Sequence, residues 1–141
     1  MGILIQEMVD SQFSFIIHTV NPMNDDQDQV YMEVAVGQGE TLASANQQGT
    51  PYRMIYHKKE GKIQLITFSS YSYGLYASKN SKDLVRRCID YSQIEFTKDT
   101  DELAGLGIEL GEIAVHLEKC FNGEAQDIEG CICPNDEIYI V

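Results

Sequence analysis

The chain has 141 residues, 43% of them hydrophobic, with 10 Lys and Arg against 22 Asp and Glu and a formal net charge of −12. That length is one domain's worth, or part of a larger domain, and the apolar fraction is enough for a core. The acidity argues against nucleic-acid and anionic-membrane partners, which require clustered basic residues, and it admits ATP only with help from Mg²⁺ or from basic groups elsewhere.

No apolar run approaches ~18 residues, so no membrane span is expected. The N-terminus, Met1-Gly2-Ile3-Leu4-Ile5-Gln6, has no basic leader region and no cleavage site, and it begins in mid-strand. Both ends read like cuts through a sheet. Four cysteines are too sparse for a secreted disulfide scaffold, which points to reduced thiols in the cytoplasm, or in a plastid for a parent protein.

Residues 3–9 (ILIQEMV) read as a buried strand, followed by a turn at 10–12. Residues 13–19 (FSFIIHT) are β-branched and aromatic and predict a second strand. A polar, acidic loop covers 21–29. Residues 30–36 predict a third strand, with Val30, Met32, Val34 and Val36 on one face. Gly37 to Glu40 (GQGE) is a tight turn, and a short helix follows over 41–46. Residues 52–57 and 63–68 flank KKEGK as a hairpin. The stretch 69–83 reads as irregular. Residues 84–90 lean to strand, 91–92 to a turn and 94–97 to a short strand.

One long helix is predicted from Asp101 to Phe121, with Leu103, Leu106, Leu110, Ile113, Leu117 and Phe121 on one face. Asp99 and Glu102 resemble a capping box, and Asn122-Gly123 a stop. Gly107 and Gly111 cost the helix roughly 1 kcal/mol each against Ala, which suggests that another backbone packs closely there. A final hairpin spans 125–131 and 137–141. The sum is a single α+β unit, a largely antiparallel sheet with one long helix across it.

Four constellations carry possible chemistry. Asp127 and Glu129 lie two apart in a strand and share a face, their side-chain roots roughly 7 Å apart. That suits Mg²⁺, which takes one or two carboxylates plus waters and phosphate. A solvated strand face is the simpler account, but Cys131 and Cys133 continue the same face, and cysteine is usually buried. His116, Cys120, Cys131 and Cys133 have the right chemistry for zinc, but a C-x-C on one strand is not the usual chelating turn, and packed cysteines explain them more simply. The G-x-G at Gly37 to Gly39 is a weak phosphate-loop signal without a Walker lysine, and a plain turn accounts for it. His18, inside an apolar strand, reads as a satisfied core histidine and His57 as exposed; no nucleophile is spaced to partner either.

Several segments, in order, resemble a known family: ILIQEMV, FSFIIHTVNP, VYMEVAVGQGETLASA, GTPYR, IDYS and AQDIEGCICPNDEIYIV. They are similar to the ATP-binding region of the starch (α-glucan) water dikinases, itself related to those of phosphoenolpyruvate synthase and pyruvate phosphate dikinase. IIHTVNP and GTPYR favour the glucan dikinases, the second of them the phosphoglucan branch, whereas QDIEG is shared across the wider group. The resemblance covers nearly the whole chain.

It implies the C-terminal half of an ATP-grasp-like nucleotide domain. Gln6, Glu7 and Met8 would meet the adenine through backbone groups. Asp127 and Glu129 would sit around Mg²⁺, with Glu129 also at the ATP phosphates, and Gly37 to Glu40 would lie near the cleft. The parent enzyme would pass the β-phosphate of ATP through a phosphohistidine in another domain to a glucan acceptor. The departures are specific. Gln38 stands where relatives more often have Leu, and Val141 precedes the family's Gln-Thr/Ser-Arg-Pro. The half carrying the phosphate-binding Lys and Arg is missing, and none of His18, His57 and His116 lies in the family's phosphohistidine motif. The expectation is therefore a fragment with no catalytic residue of its own, inactive alone and dependent on the remaining domains of its parent. The alternatives are a fragment of a phosphoenolpyruvate synthase or pyruvate phosphate dikinase-like enzyme, and a non-catalytic α+β binding module.

Overall fold

The computed structural model of the chain describes residues 2–3, 5–43, 48–78 and 83–141. Period-two alternation builds its centre. β1 (Phe13–His18) and β2 (Gln29–Val36) pair antiparallel, with Phe13 opposite Val36 and Ile17 opposite Met32. Phe13, Phe15 and Ile17 therefore share one face with Val30, Met32, Val34 and Val36, and all are buried. β3 (Tyr52–His57) and β4 (Lys62–Thr67) extend the sheet on one side, and β7 (Asp127–Ile132) and β8 (Ile138–Ile140) on the other, in the order β4-β3-β2-β1-β7-β8 with every pair antiparallel.

A separate hairpin, β5 (Tyr73–Ala77) with β6 (Leu84–Cys88), joins through a bridge from Gly37 to Leu75. Gly37 has φ +85°, and a Cβ there would stand 2.3 Å from the Leu75 carbonyl oxygen, so both its backbone conformation and this close approach require glycine.

α1 (Glu40–Ala43) and α2 (Glu95–Lys98) are single turns, and α3 (Thr100–Cys120) crosses the sheet. Asp99 caps α3, its Oδ1 accepting from the amides of Asp101 and Glu102. Beyond Cys120, Asn122 and Gly123 take positive φ and end the helix. The α+β reading holds: a mostly antiparallel sheet with one long helix. Among the described residues no helix is long and apolar enough to cross a membrane.

Several expectations change. Residues 5–9 form no strand: Ile5 and Met8 are exposed, and among the described residues no neighbouring strand pairs with them. Leu4, within that expected strand, lies outside the described residues. Residues 94–97 are not a strand either, because Ile94 is the extended N-cap of α2. The preceding turn is a 3₁₀ turn at Tyr91–Gln93. The expected helix over 41–46 is seen as Glu40–Ala43, with 44–46 outside the described residues. The stretch expected to be irregular contains β5, and 79–82 lie outside the described residues.

The buried stripe of α3 is Leu103, Gly107, Leu110, Gly111 and Ala114, while Phe121 is exposed. Side chains, not a backbone, press on its glycines. A Cβ at Gly111 would stand 2.3 Å from the Tyr56 ring, and one at Gly107 2.8 Å from Ile63.

Candidate functional site

The face of the six-stranded sheet opposite α3 carries the polar residues, and strand register sets them in rows. Ile16 lies between Glu33 on β2 and Glu129 on β7, and Glu33 in turn faces Arg53 on β3. One step along the strands, His18 lies between Tyr31 and Asp127. Asp127 and Glu129 are both exposed on this face, and the alternating residue Ile128 is buried on the other.

Gly130 permits this placement. A Cβ there would lie 2.2 Å from the Phe15 ring, so only glycine lets Phe15 seat against β7 and fix the strand carrying the carboxylates.

The two carboxylates differ in their partners. His18 Nδ1 lies 2.6 Å from Asp127 Oδ1. An ionised carboxylate only accepts, so Nδ1 carries the proton of this bond. His18 is thus half-exposed on the open face, which corrects its reading as a core histidine. Among the described residues the Glu129 carboxylate has neither a hydrogen-bond nor an ion-pair partner. Further along the face, Arg53 Nε donates to Glu33 Oε1 at 2.8 Å, and the Tyr31 hydroxyl donates to the same oxygen at 2.7 Å. Burial, then the Glu33 hydrogen bond and charge, push the Tyr31 hydroxyl well above the usual phenol range. Burial opposes the Arg53 charge, but Glu33 and Tyr31 outweigh it and the guanidinium pKa is raised. Arg53 is therefore already committed within the chain.

Glu129 also lines a recess of about 90 Å³ with Gln6, Glu7, Met8, Gly39 and Val141. The structure thus brings together Gln6, Glu7, Met8 and Glu129, and it leaves Asp127 outside the recess, on the adjoining open face. At about 90 Å³ the recess is well below the roughly 300–1,000 Å³ of a small-molecule pocket, so it does not enclose a nucleotide. A larger ligand there would have to spread over the open sheet. The larger cavity, about 590 Å³, lies elsewhere, between the start of α3 and the β7–β8 hairpin. Its charged lining is Glu95, Glu102, Glu109 and Asp136, with no cationic residue, so it repels a polyphosphate.

The segment carrying Gln6 to Met8 is tethered by the glycine turn. Gln38 Nε2 donates to the Val9 carbonyl at 2.7 Å. Two of the turn's four amides are in use: Gly37 N–H donates to the Gln12 carbonyl and Gln38 N–H to the Leu75 carbonyl. That supports a structural turn over a phosphate loop. The four residues with zinc-ligand chemistry do not assemble into one site. Cys131 and Cys133 are buried, His116 and Cys120 are exposed on α3, and among the described residues no three His, Cys, Asp or Glu side chains converge on a metal-sized space. His57 is half-buried, not exposed.

Sequence reading missed the His18–Asp127 pair, the Tyr31–Glu33–Arg53 network and the Gln38 tether. The alternation of Ser14, Ile16 and His18 against Phe13, Phe15 and Ile17 was the available signal for the first.

Comparison with known proteins points the same way. An alpha-glucan water dikinase of Citrus reticulata is 29% identical over 166 residues, covering 100% of this chain and 11% of the relative. One from Solanum tuberosum is 31% identical over 167 residues, with the same coverage. An uncharacterized phosphotransferase of Bacillus subtilis, YvkC, is 30% identical over 121 residues, 78% of this chain and 14% of its own length. The chain thus spans 11% of the length of the plant relatives it matches. Residues 1–141 match the family model of the pyruvate phosphate dikinase AMP/ATP-binding domain, so the chain belongs to that family.

Proposed function

We propose that the chain is part of the ATP-binding domain of an α-glucan water dikinase, with the open sheet face as the wall against which Mg-ATP lies. The observation that carries this reading is the meeting of Gln6, Glu7 and Met8 with Glu129 in one recess at the edge of the face that holds Asp127. Among the described residues, no backbone hydrogen bond uses the amides or carbonyls of Gln6, Glu7 and Met8. An exposed segment with free backbone groups suits hydrogen bonding to an adenine edge.

The donor set fits Mg²⁺. Asp127 and Glu129 offer hard oxygen ligands on one strand face, and a magnesium site needs only one or two carboxylates besides water and phosphate. When bound, Mg²⁺ would neutralise charge on the triphosphate. Glu129, having no competing partner, would be the more available ligand. Asp127 would be oriented by His18, whose 2.6 Å bond occupies one of its oxygens. Arg53 would stay with Glu33 and leave the phosphates to cationic groups from other domains of the parent. In the whole protein the β-phosphate would pass through a histidine of another domain to a glucan, and the γ-phosphate to water.

Titration of the chain with Mg-ATP, followed by amide NMR, tests this. Shifts are expected at Gln6, Glu7, Met8, Ile16 and Glu129, with Kd on the order of 1 mM because the cationic half of the site is elsewhere. Glu129→Gln should remove the Mg²⁺ dependence and leave the shifts at Gln6 to Met8. Micromolar affinity, or shifts confined to the acidic cavity, overturns the reading.

A further inference from the structure

We propose that His116 and Cys120, on the last turn of α3, form a bidentate site for a borderline-soft divalent ion, with Zn²⁺ as its preferred occupant. The two residues stand four apart on one helix face, where side chains are neighbours. Both are exposed, and Cys120 Sγ lies 3.7 Å from His116 Nε2. A tetrahedral zinc ion holds sulfur at about 2.3 Å and imidazole nitrogen at about 2.0–2.1 Å, which places the two donors about 3.6 Å apart. The pair therefore already stands at the separation that the ion requires, and a helix backbone holds it there.

The surroundings favour a cation. Cys120 is the last residue of α3, where unsatisfied carbonyls give the helix end a partial negative charge. Lys119 is the basic residue of that turn, and Lys58 is paired with Glu118 at 2.7 Å. The nitrogen-sulfur donor set separates this site from Asp127 and Glu129, whose oxygens suit Mg²⁺. Among the described residues no third ligating side chain joins the pair, so two coordination positions stay open to water or to an external ligand. Binding displaces the Cys120 thiol proton to solvent and forms the metal–sulfur bond, with no change of oxidation state.

Cysteine alkylation mapped by mass spectrometry, with and without ZnCl₂, tests the site in the full chain. Cys88 is also exposed and serves as the internal control. Zn²⁺ is expected to slow alkylation of Cys120 by about tenfold or more, since a coordinated sulfur is no longer a free thiolate, while Cys88 is unaffected. His116→Ala should abolish that protection. Equal protection of both thiols, no protection, or full protection in His116→Ala would each overturn the proposal.

Discussion

The Tyr91 hydroxyl accepts from the Val36 amide at 3.1 Å and donates to the Tyr73 carbonyl at 3.4 Å, within a ring cluster that includes Tyr52 and Tyr71. Tyr91 and Val36 are both buried. Tyr91→Phe keeps the ring but leaves a buried N–H without its partner, a loss of about 1–3 kcal/mol. Urea denaturation checks it against Tyr139→Phe, an exposed hydroxyl bonded to Glu137, which should fall within about 0.5 kcal/mol of the parent. Burial is the main cause that pushes Tyr91 from its ordinary 10.0 up to about 12. The folded state thus favours the protonated phenol. Its contribution is intact below pH 10 and lost as pH rises toward 12, so Tyr91→Phe should flatten that alkaline slope. The same scale shows where sequence reading stops. Alternation in β1 sets His18 with Ser14 and Ile16, against its reading as a core histidine, and its partner Asp127 is 109 residues away. That pairing depends on the β1–β7 register, which the close approach of Phe15 to Gly130 helps to hold.

α3 was legible because its signals are local: Asp99 caps it, a 3.6-residue apolar period runs through it, and Asn122-Gly123 stops it. Its exact buried stripe was not, since Gly107 and Gly111 look like weak points until the facing side chains are known. Residues 5–9 and Ile94 show the opposite failure. Their strand-like composition goes unused because a strand needs a neighbour, and Ile94 serves instead as a helix cap. The three helix glycines separate propensity from packing. Gly105 is exposed, and a methyl group added there would meet nothing within 4 Å, so Gly105→Ala should gain about 1 kcal/mol from propensity alone. Gly111→Ala makes the same propensity gain but drives a methyl into the Tyr56 ring, and overpacking of about 1–3 kcal/mol should leave it net destabilised. Opposite shifts of the two melting temperatures check this; shifts of the same sign would show that the helix can move away from β3.

Over the whole molecule, the fold class was legible because each element carries its own pattern, and the candidate site only partly, because it joins residues 6–8 to residue 129 across the chain. Charge acts at this same scale. With 22 acidic and 10 basic residues, pairing every base would still leave 12 acids unpaired. Exposed pairs such as Lys62–Glu60 contribute little, whereas the well-shielded Lys58–Glu118 pair resists screening. Net repulsion therefore outweighs the surface attractions at neutral pH. Raising NaCl from about 0.02 M to about 0.3 M shortens the screening length from roughly 20 Å to roughly 6 Å. The melting temperature should rise by several degrees, the equivalent of about 1 kcal/mol. A fall would mean that the surface pairs dominate. MgCl₂ at matched ionic strength separates screening from binding. Any extra stabilisation over NaCl belongs to ion binding by the native state, and it should disappear in Glu129→Gln if the open sheet face holds the ion. An excess that survives the substitution would place bound Mg²⁺ elsewhere on this acidic surface.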